Sequence, residues 1–328
     1  MSNRIKVAIA GYGNLGRGVE SAIAQNPDMQ LVGVFSRRDP ASVTLLNQDV
    51  SVYAMADIEQ FQNQVDVMIL CGGSKTDLPE QGPYLAQFFN TVDSFDTHAK
   101  VNEHFAALDA PAKKANKVAL LSVGWDPGLF SLNRMFGETV LSEGETYTFW
   151  GKGLSQGHSD AVRRVAGVKS GVQYTLPSET AIARVRAGEQ PQLSTREKHT
   201  RECYVVLEEG ASADEVRNSI VTMPDYFADF DTQVHFVDQA TFDQDHTQMP
   251  HGGFVIRSGV TGDGNKQTIE YSLALGSNPE FTASVLVAYA RAVHKLAVRG
   301  EVGAKTVFDV PPGLLSPKDP AQLRKDLL

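Results

Sequence analysis

Two clusters near the N-terminus of the 328-residue chain have the types and spacing to do chemistry. The first is Gly11-Tyr12-Gly13-Asn14-Leu15-Gly16, placed where the apolar run Ile5 to Ala10 hands over to a helical pattern from Asn14 to Gln25 with Leu15, Val19 and Ile23 on one face. A bare GxGxxG says little, because glycine pairs are common in turns. Between a strand and an amphipathic helix it is the arrangement that binds a dinucleotide. Gly11 permits the tight turn, Gly13 lets a pyrophosphate approach the backbone, and Gly16 lets helix and strand pack closely. The helix N-terminus then points free N–H groups at the phosphates. The second cluster, Phe35-Ser36-Arg37-Arg38, lies about 20 residues further on, where an NAD-binding turn carries a ribose-binding acid. A hydroxyl and two guanidiniums suit a 2′-phosphate instead, so NADP is the expected cofactor. Asp39 is next in line and leaves NAD or dual use open.

In doubly wound sheets ligands bind beyond the carboxyl ends of the strands. The third strand candidate ends in Cys71-Gly72-Gly73-Ser74-Lys75-Thr76, so Cys71, Gly72, Ser74 and Thr76 are expected along the cofactor. Cys71 reads as a small packing residue, since no histidine stands near it to make it a nucleophile. Asp96 follows the fourth strand and Asp126, in Gly124-Trp125-Asp126-Pro127-Gly128, follows the fifth. Each acid alone is equally a turn residue. Together at strand ends they are candidates for holding an ammonium group or moving a proton. Trp150 to Asp160 is a glycine-spaced loop suited to wrapping a small ligand. Asp243, Asp245, His246 and His251 are metal-type residues, but their spacing fits no zinc or two-metal pattern, so no metal is expected.

The elements that must position these groups divide in two. Up to Trp125, strand candidates at Leu31 to Phe35, Val65 to Leu70, Thr91 to Phe95 and Val118 to Ser122 alternate with helices, one of them around Glu103 to Lys114 with Pro111 inside. That alternation predicts βαβ units in a parallel sheet. Asp39 to Asn63 reads as polar and irregular. Beyond Trp125, strand candidates dominate: Glu145 to Trp150, Gly171 to Thr175, Arg201 to Leu207, Val234 to Val237, Gly253 to Gly259 and Gln267 to Leu275. Phe281 to Arg299 is a helix apolar nearly all round, expected to be buried against the first domain. The fold class expected is α/β, a Rossmann-type doubly wound parallel sheet plus a second α+β domain. The boundaries are 1–123 with 279–328 packing back on it, and 124–278. A net charge of −9 argues against nucleic acid and anionic lipid as partners. Two cysteines without CxxC spacing and no export signal point to a reducing cytoplasm.

Seven stretches carry a resemblance: GYGNLG at 11–16, FSRR at 35–38, GWDPG at 124–128, FWGKGLSQGHSD at 149–160, QYTLPSE at 173–179, MPDYF at 223–227 and HTQMPHGG at 246–253. Over almost the whole chain the sequence resembles the meso-diaminopimelate dehydrogenase family, and the second-domain motifs are not shared by Rossmann enzymes in general. The resemblance implies a homodimer that oxidatively deaminates the D-centre of meso-diaminopimelate with NADP, or reverses that step in bacterial lysine synthesis. It implies a substrate-binding and dimerisation role for the second domain. Asp96, Asp126 and Trp150 would line the D-end, with Gln156 and Gly157 in the loop near the substrate. Thr175, Arg201, His251 and Asn278 would hold the distal L-end. A broader D-amino acid dehydrogenase, an imine reductase and a non-catalytic NADP sensor are the alternatives.

Overall fold

Residues 4–328 are described by a computed structural model. The chain opens with β1 (Ile5–Ala10), α1 (Asn14–Ala24), β2 (Met29–Ser36), β3 (Val52–Ala54) and β4 (Val67–Leu70). It continues through α2 (Leu78–Leu85), β5 (Thr91–Asp93), α3 (Val101–Lys114), β6 (Val118–Leu120) and α4 (Leu129–Val140). The next stretch holds β7 (Gly144–Trp150), β8 (Gly153–Leu154), α5 (Gln156–Arg163), β9 (Val168–Pro177), α6 (Glu179–Arg186), α7 (Thr195–Lys198) and β10 (His199–Leu207). After these come α8 (Ala213–Val221), β11 (Asp231–Phe236), α9 (Gln239–Asp245), β12 (His251–Thr261) and β13 (Asn265–Leu275). The chain closes with α10 (Asn278–Val298), β14 (Gly303–Lys305) and α11 (Pro320–Leu327).

Two compact units result: residues up to Leu132 together with Pro279–Leu328, and Asn133–Asn278. The first unit runs past the expected boundary at residue 123 because Leu129 and Leu132 pack against its core. Its seven strands form a parallel sheet in the order β14-β6-β5-β4-β1-β2-β3. Alternate residues of a strand point to opposite faces, so the sheet needs two covers. Val7, Ile9, Val67 and Ile69 pack with Val19 and Ile23 of α1 and with Leu286, Tyr289 and Val293 of α10. Ala8, Ala10, Met68 and Leu70 pack on the other side with Leu78 and Leu85 of α2. By length and composition α10 would cross a bilayer, but its apolar residues are spent on this core.

The stretch expected to be irregular from Asp39 to Asn63 contains β3 and 3-10 turns at Pro40–Ser42 and Met55–Phe61. A buried acid organises it: the Glu20 carboxylate accepts the N–H groups of Leu46 (3.1 Å) and Asn47 (2.7 Å) and the Tyr12 hydroxyl. β3 and β14 are three-residue edge strands, and α2 contains Pro83, so none of the three has the period or length that marks an element in sequence.

The second unit has two sheets. In the order β11-β10-β9-β8, β11 runs parallel to β10 and the other pairs are antiparallel. The order β13-β12-β7 is antiparallel throughout. Val162, Cys203, Val205, Ile220 and Phe227 form one core, and Phe149, Ile182, Val185 and Ile256 another.

Candidate functional site

At the β1–α1 turn, Gly11 sits at φ +98°, a region that L side chains rarely adopt, and a Cβ there would stand 3.3 Å from the Cys71 carbonyl. A Cβ on Gly16 would meet the Gly11 carbonyl oxygen at 2.4 Å, so only glycine lets α1 start this close to β1. Gly13 has open space around it and, as the N-cap of α1, supplies no side-chain cap. Leu15 packs against the first core, and Tyr12 turns inward. Burial, then the Glu20 carboxylate, pushes the Tyr12 hydroxyl up to about 12. What Tyr12 offers outward is its carbonyl, which accepts from the Arg38 guanidinium at 2.5 Å. Ser36 is buried and its Oγ accepts the Arg38 N–H at 3.0 Å, while Arg37 pairs with Asp77 at 2.9 Å. An open phosphate approach, an uncapped helix start and two anchored guanidiniums at the end of β2 fit a 2′-phosphorylated dinucleotide.

The residues after β4 run beside the same turn, since Cys71 N–H donates to the Ala10 carbonyl at 2.8 Å. Burial pushes the Cys71 thiol well up, which suits packing and not nucleophilic attack. Asp77 accepts the Gly73 N–H at 2.8 Å, and the Thr76 hydroxyl lies against Gly73. The Ser74 hydroxyl accepts the N–H groups of Asp96 (2.9 Å) and Thr97 (3.2 Å), tying the loop that carries Asp96 to the loop beside the dinucleotide turn. Asp126 is half-buried on the Gly124–Gly128 turn, where Trp125 bridges to Gly128. Gly128 must be glycine: at φ +127° a Cβ would collide with the Gly124 carbonyl at 2.0 Å.

In the second unit, Thr175 on β9 stands directly opposite Arg201 on β10. Arg201 is buried, donates from Nη1 to the Thr175 hydroxyl at 2.9 Å, and lies 3.7 Å above the centre of the Phe230 ring. Its Nε is buried with no protein partner. Burial lowers this guanidinium to about 10, so it stays cationic at neutral pH. Gln173, on the same strand face as Thr175, donates to the Thr175 hydroxyl at 3.2 Å and buries an unpartnered Oε1. Trp150 donates its N–H to His199 Nε2 at 2.8 Å and stacks on that ring at 5.2 Å. Burial, aided by the Lys198 and Arg201 charges, lowers His199 to about 4 and keeps it neutral.

The remaining expected residues gather close by. Gly153 pairs with Thr175 and has no room for a side chain, because the His251 ring would be 2.4 Å from its Cβ. His251 Nδ1 accepts the Gly252 N–H at 2.8 Å. Met249 links two more: its sulfur lies 3.2 Å from Gln156 Nε2, and its carbonyl accepts the Asn278 N–H at 2.9 Å. Gln156 and Gly157 belong to the first turn of α5 and not to a loop, because the Ser155 side chain caps that helix. His246, expected among metal-type residues, is taken up by the Tyr174 hydroxyl (3.0 Å) and the Tyr204 ring (4.1 Å). Among the described residues no three His, Cys, Asp or Glu side chains gather as metal ligands would. Sequence reasoning missed Gln173, His199 and Phe230. Strand alternation from Thr175 signals Gln173, whereas Phe230 lies outside every strand and carries no signal.

A glycine-rich βα turn on a parallel sheet, followed in the same chain by a second unit with a buried cation short of partners, is the build of a nucleotide-dependent dehydrogenase. Residues 5–70 match the N-terminus of dihydrodipicolinate reductase, and residues 124–277 match the diaminopimelic acid dehydrogenase C-terminal domain. The chain is 66% identical over 324 residues, 99% of both proteins, to the meso-diaminopimelate D-dehydrogenase of Lysinibacillus sphaericus. Its fold matches a crystal structure of a substituted Clostridium tetani meso-diaminopimelate dehydrogenase with DAP, at TM-score 0.94, 54% identity and coverage of 99% of this chain and 100% of the other. An engineered D-amino acid dehydrogenase bound to NADP+ matches at TM-score 0.87 and 48% identity, with the same coverage. The chain belongs to the meso-diaminopimelate dehydrogenase family.

Proposed function

We propose that the chain oxidatively deaminates the D-centre of meso-diaminopimelate, with NADP as the two-electron acceptor and water as the source of the oxo oxygen, forming the amino-oxo diacid and ammonia, and runs the reverse reductive amination in lysine biosynthesis. The observation that carries this reading is Arg201, a buried cation whose Nε lacks a partner and whose nearest hydroxyl, Thr175, would share a carboxylate with it. Bound NADP supplies the two-electron acceptor, held by Gly11, Gly13 and Gly16, by the N-terminus of α1 and by Ser36, Arg37 and Arg38. Asp96 and Asp126 orient the reacting ammonium group, and a carboxylate there accepts the proton the amine must lose. Trp150, Gln156 and Gly157 of the second unit contact the substrate. Thr175, Arg201, His251 and Asn278 take the distal L-amino-acid group, so two differently built subsites distinguish the ends of a nearly symmetrical molecule. The homodimer belongs to the same reading and is supported by β13, an eleven-residue strand at the edge of its sheet; light scattering checks it. So does a reducing cytoplasm, supported by two free thiols.

The test is NADPH formation from the separated meso, LL and DD isomers and from D-alanine. The meso isomer alone should react at a useful rate. Equal kcat/KM for the LL isomer would overturn the two-subsite account, equal kcat/KM for D-alanine would make the protein a broad D-amino acid dehydrogenase, and binding without turnover would make it a sensor.

A further inference from the structure

We propose that Asp93 and His104 are positioning residues that hold the Asp96 and Asp126 loops in one arrangement. Both side chains are buried in the first unit, with His104 Nε2 at 2.9 Å from Asp93 Oδ2. A buried carboxylate is costly unless donors surround it, and the donors here are informative. Asp93 Oδ1 accepts the N–H of Phe95 at 2.9 Å and the N–H of Ser122 at 3.0 Å. Its own carbonyl accepts the N–H of Val123 at 2.9 Å. One residue therefore grips the chain just before Asp96 and, again, just before the turn that carries Asp126.

The grip begins where the sheet ends. Pairing of β5 with β6 stops at Val92 and Leu120, and Ser122 then turns through φ 57°, a left-handed conformation that costs a residue with a side chain free energy. Past that point Asp93 ties the two strand ends twice, through its carbonyl to Val123 and through its carboxylate to Ser122. His104 fixes which way that carboxylate faces. Its ring stacks on Phe95 at 4.2 Å with an interplanar angle of 17° and fills the space left by Gly82 of α2, where a Cβ would stand 3.1 Å from the ring. From α3 it thus delivers an N–H to Oδ2 and leaves Oδ1 to the two loops. Ser74 holds the far side of the Asp96 loop, so displacement of the near side changes the relation between the two acids.

The proposal rests on Asp96 and Asp126 acting at the reacting end. His104→Gln keeps an amide N–H for Oδ2, and His104→Leu fills the space without a donor. His104→Leu should lower kcat about tenfold or more, and His104→Gln should keep it within about threefold, because sub-ångström misplacement of catalytic groups costs rate before binding. KM for meso-diaminopimelate and the NADP dissociation constant, read by fluorescence titration, should move little in either variant. Equal turnover in the two variants, whether retained or lost, overturns the proposal, since packing and not hydrogen bonding would then be the role of His104. Asp93→Asn, which replaces one acceptor by a donor, should fall as His104→Leu does; if it does not fold, the two His104 variants still decide. Asp126→Asn run alongside separates the two ideas. Its loss of turnover beside an unaffected His104→Leu fails the positioning role alone, whereas full turnover in Asp126→Asn fails the assignment of Asp126.

Discussion

The first unit buries Arg291 and the second buries Arg201 and Arg257, and Arg291 and Arg201 are treated in opposite ways. In the first unit Arg291 of α10 donates through Nε and Nη2 to both Asp28 oxygens (2.6 and 2.8 Å), and further to the Asn26 side chain (2.7 Å) and the Leu315 carbonyl (2.8 Å). In the second unit Arg201 has the Thr175 hydroxyl, the face of Phe230 and a buried Nε with no partner. A guanidinium with its donors matched is cement: it joins α10 to the β2 approach and asks nothing of a ligand. One buried without matching acceptors is held in a costly state that an incoming carboxylate relieves. Asp93 belongs with Arg291 in this respect, being saturated by the protein, and its role is accordingly to position and not to bind.

Substitution of each arginine by methionine sharpens the contrast most. Arg291→Met should lower unfolding stability by about 3 kcal/mol, because Asp28 keeps its charge and loses its partner, and should leave KM unchanged. Denaturant titration with a parallel kinetic assay reads both. Arg201→Met should raise KM for meso-diaminopimelate about a hundredfold, the worth of one or two hydrogen bonds to a charged group, with stability within about 1 kcal/mol of the parent. If Arg201→Met destabilises as much as Arg291→Met does, the two arginines are alike and the distinction fails.

Next in size is a pH effect at His199. Unfolded, this imidazole takes its proton near the ordinary 6.5; folded, it resists until about 4. Between those values the unfolded chain binds the extra proton, so stability rises with pH across the window and is lost on acidification. At pH 5 the loss relative to neutral pH is about 2 kcal/mol. His199→Gln should flatten that slope when stability is compared at pH 7 and pH 5, and an unchanged slope would show that His199 titrates normally.

Arg37 and Arg38 are the intermediate case, each an exposed residue whose guanidinium holds one protein acceptor. Arg37→Ala with Arg38→Ala should erode the preference for NADP over NAD about tenfold, measured as the ratio of kcat/KM values. A ratio near one in the parent protein would remove these arginines from cofactor selection.

Legibility followed the range of the interactions involved. The dinucleotide turn could be read because its requirements are local: Gly16 answers to atoms within the turn, Gly11 to the adjoining strand end, and Gly13 keeps the approach open. Asp96 and Asp126 could be placed at strand ends because parallel strands are continuous apolar runs with visible ends. β3, β14 and α2 could not, because three-residue edge strands and a proline-containing helix exist only through the neighbours they pair with or pack on.

What the sequence determined by itself was the alternation of elements, the βα turn and the residue types delivered to the strand ends, since period and glycine placement act over a few residues. The tertiary structure alone decided which polar groups are saturated. Arg291 and Arg201 are the same residue type on regular elements, and no local pattern distinguishes them. Asp28 reaches one from 263 positions away in the chain, whereas β9 brings the other a single hydroxyl. Burial lowers the local dielectric and makes each unmade hydrogen bond costly, so the difference between a saturated and an unsaturated cation lies in partners that only folding brings together.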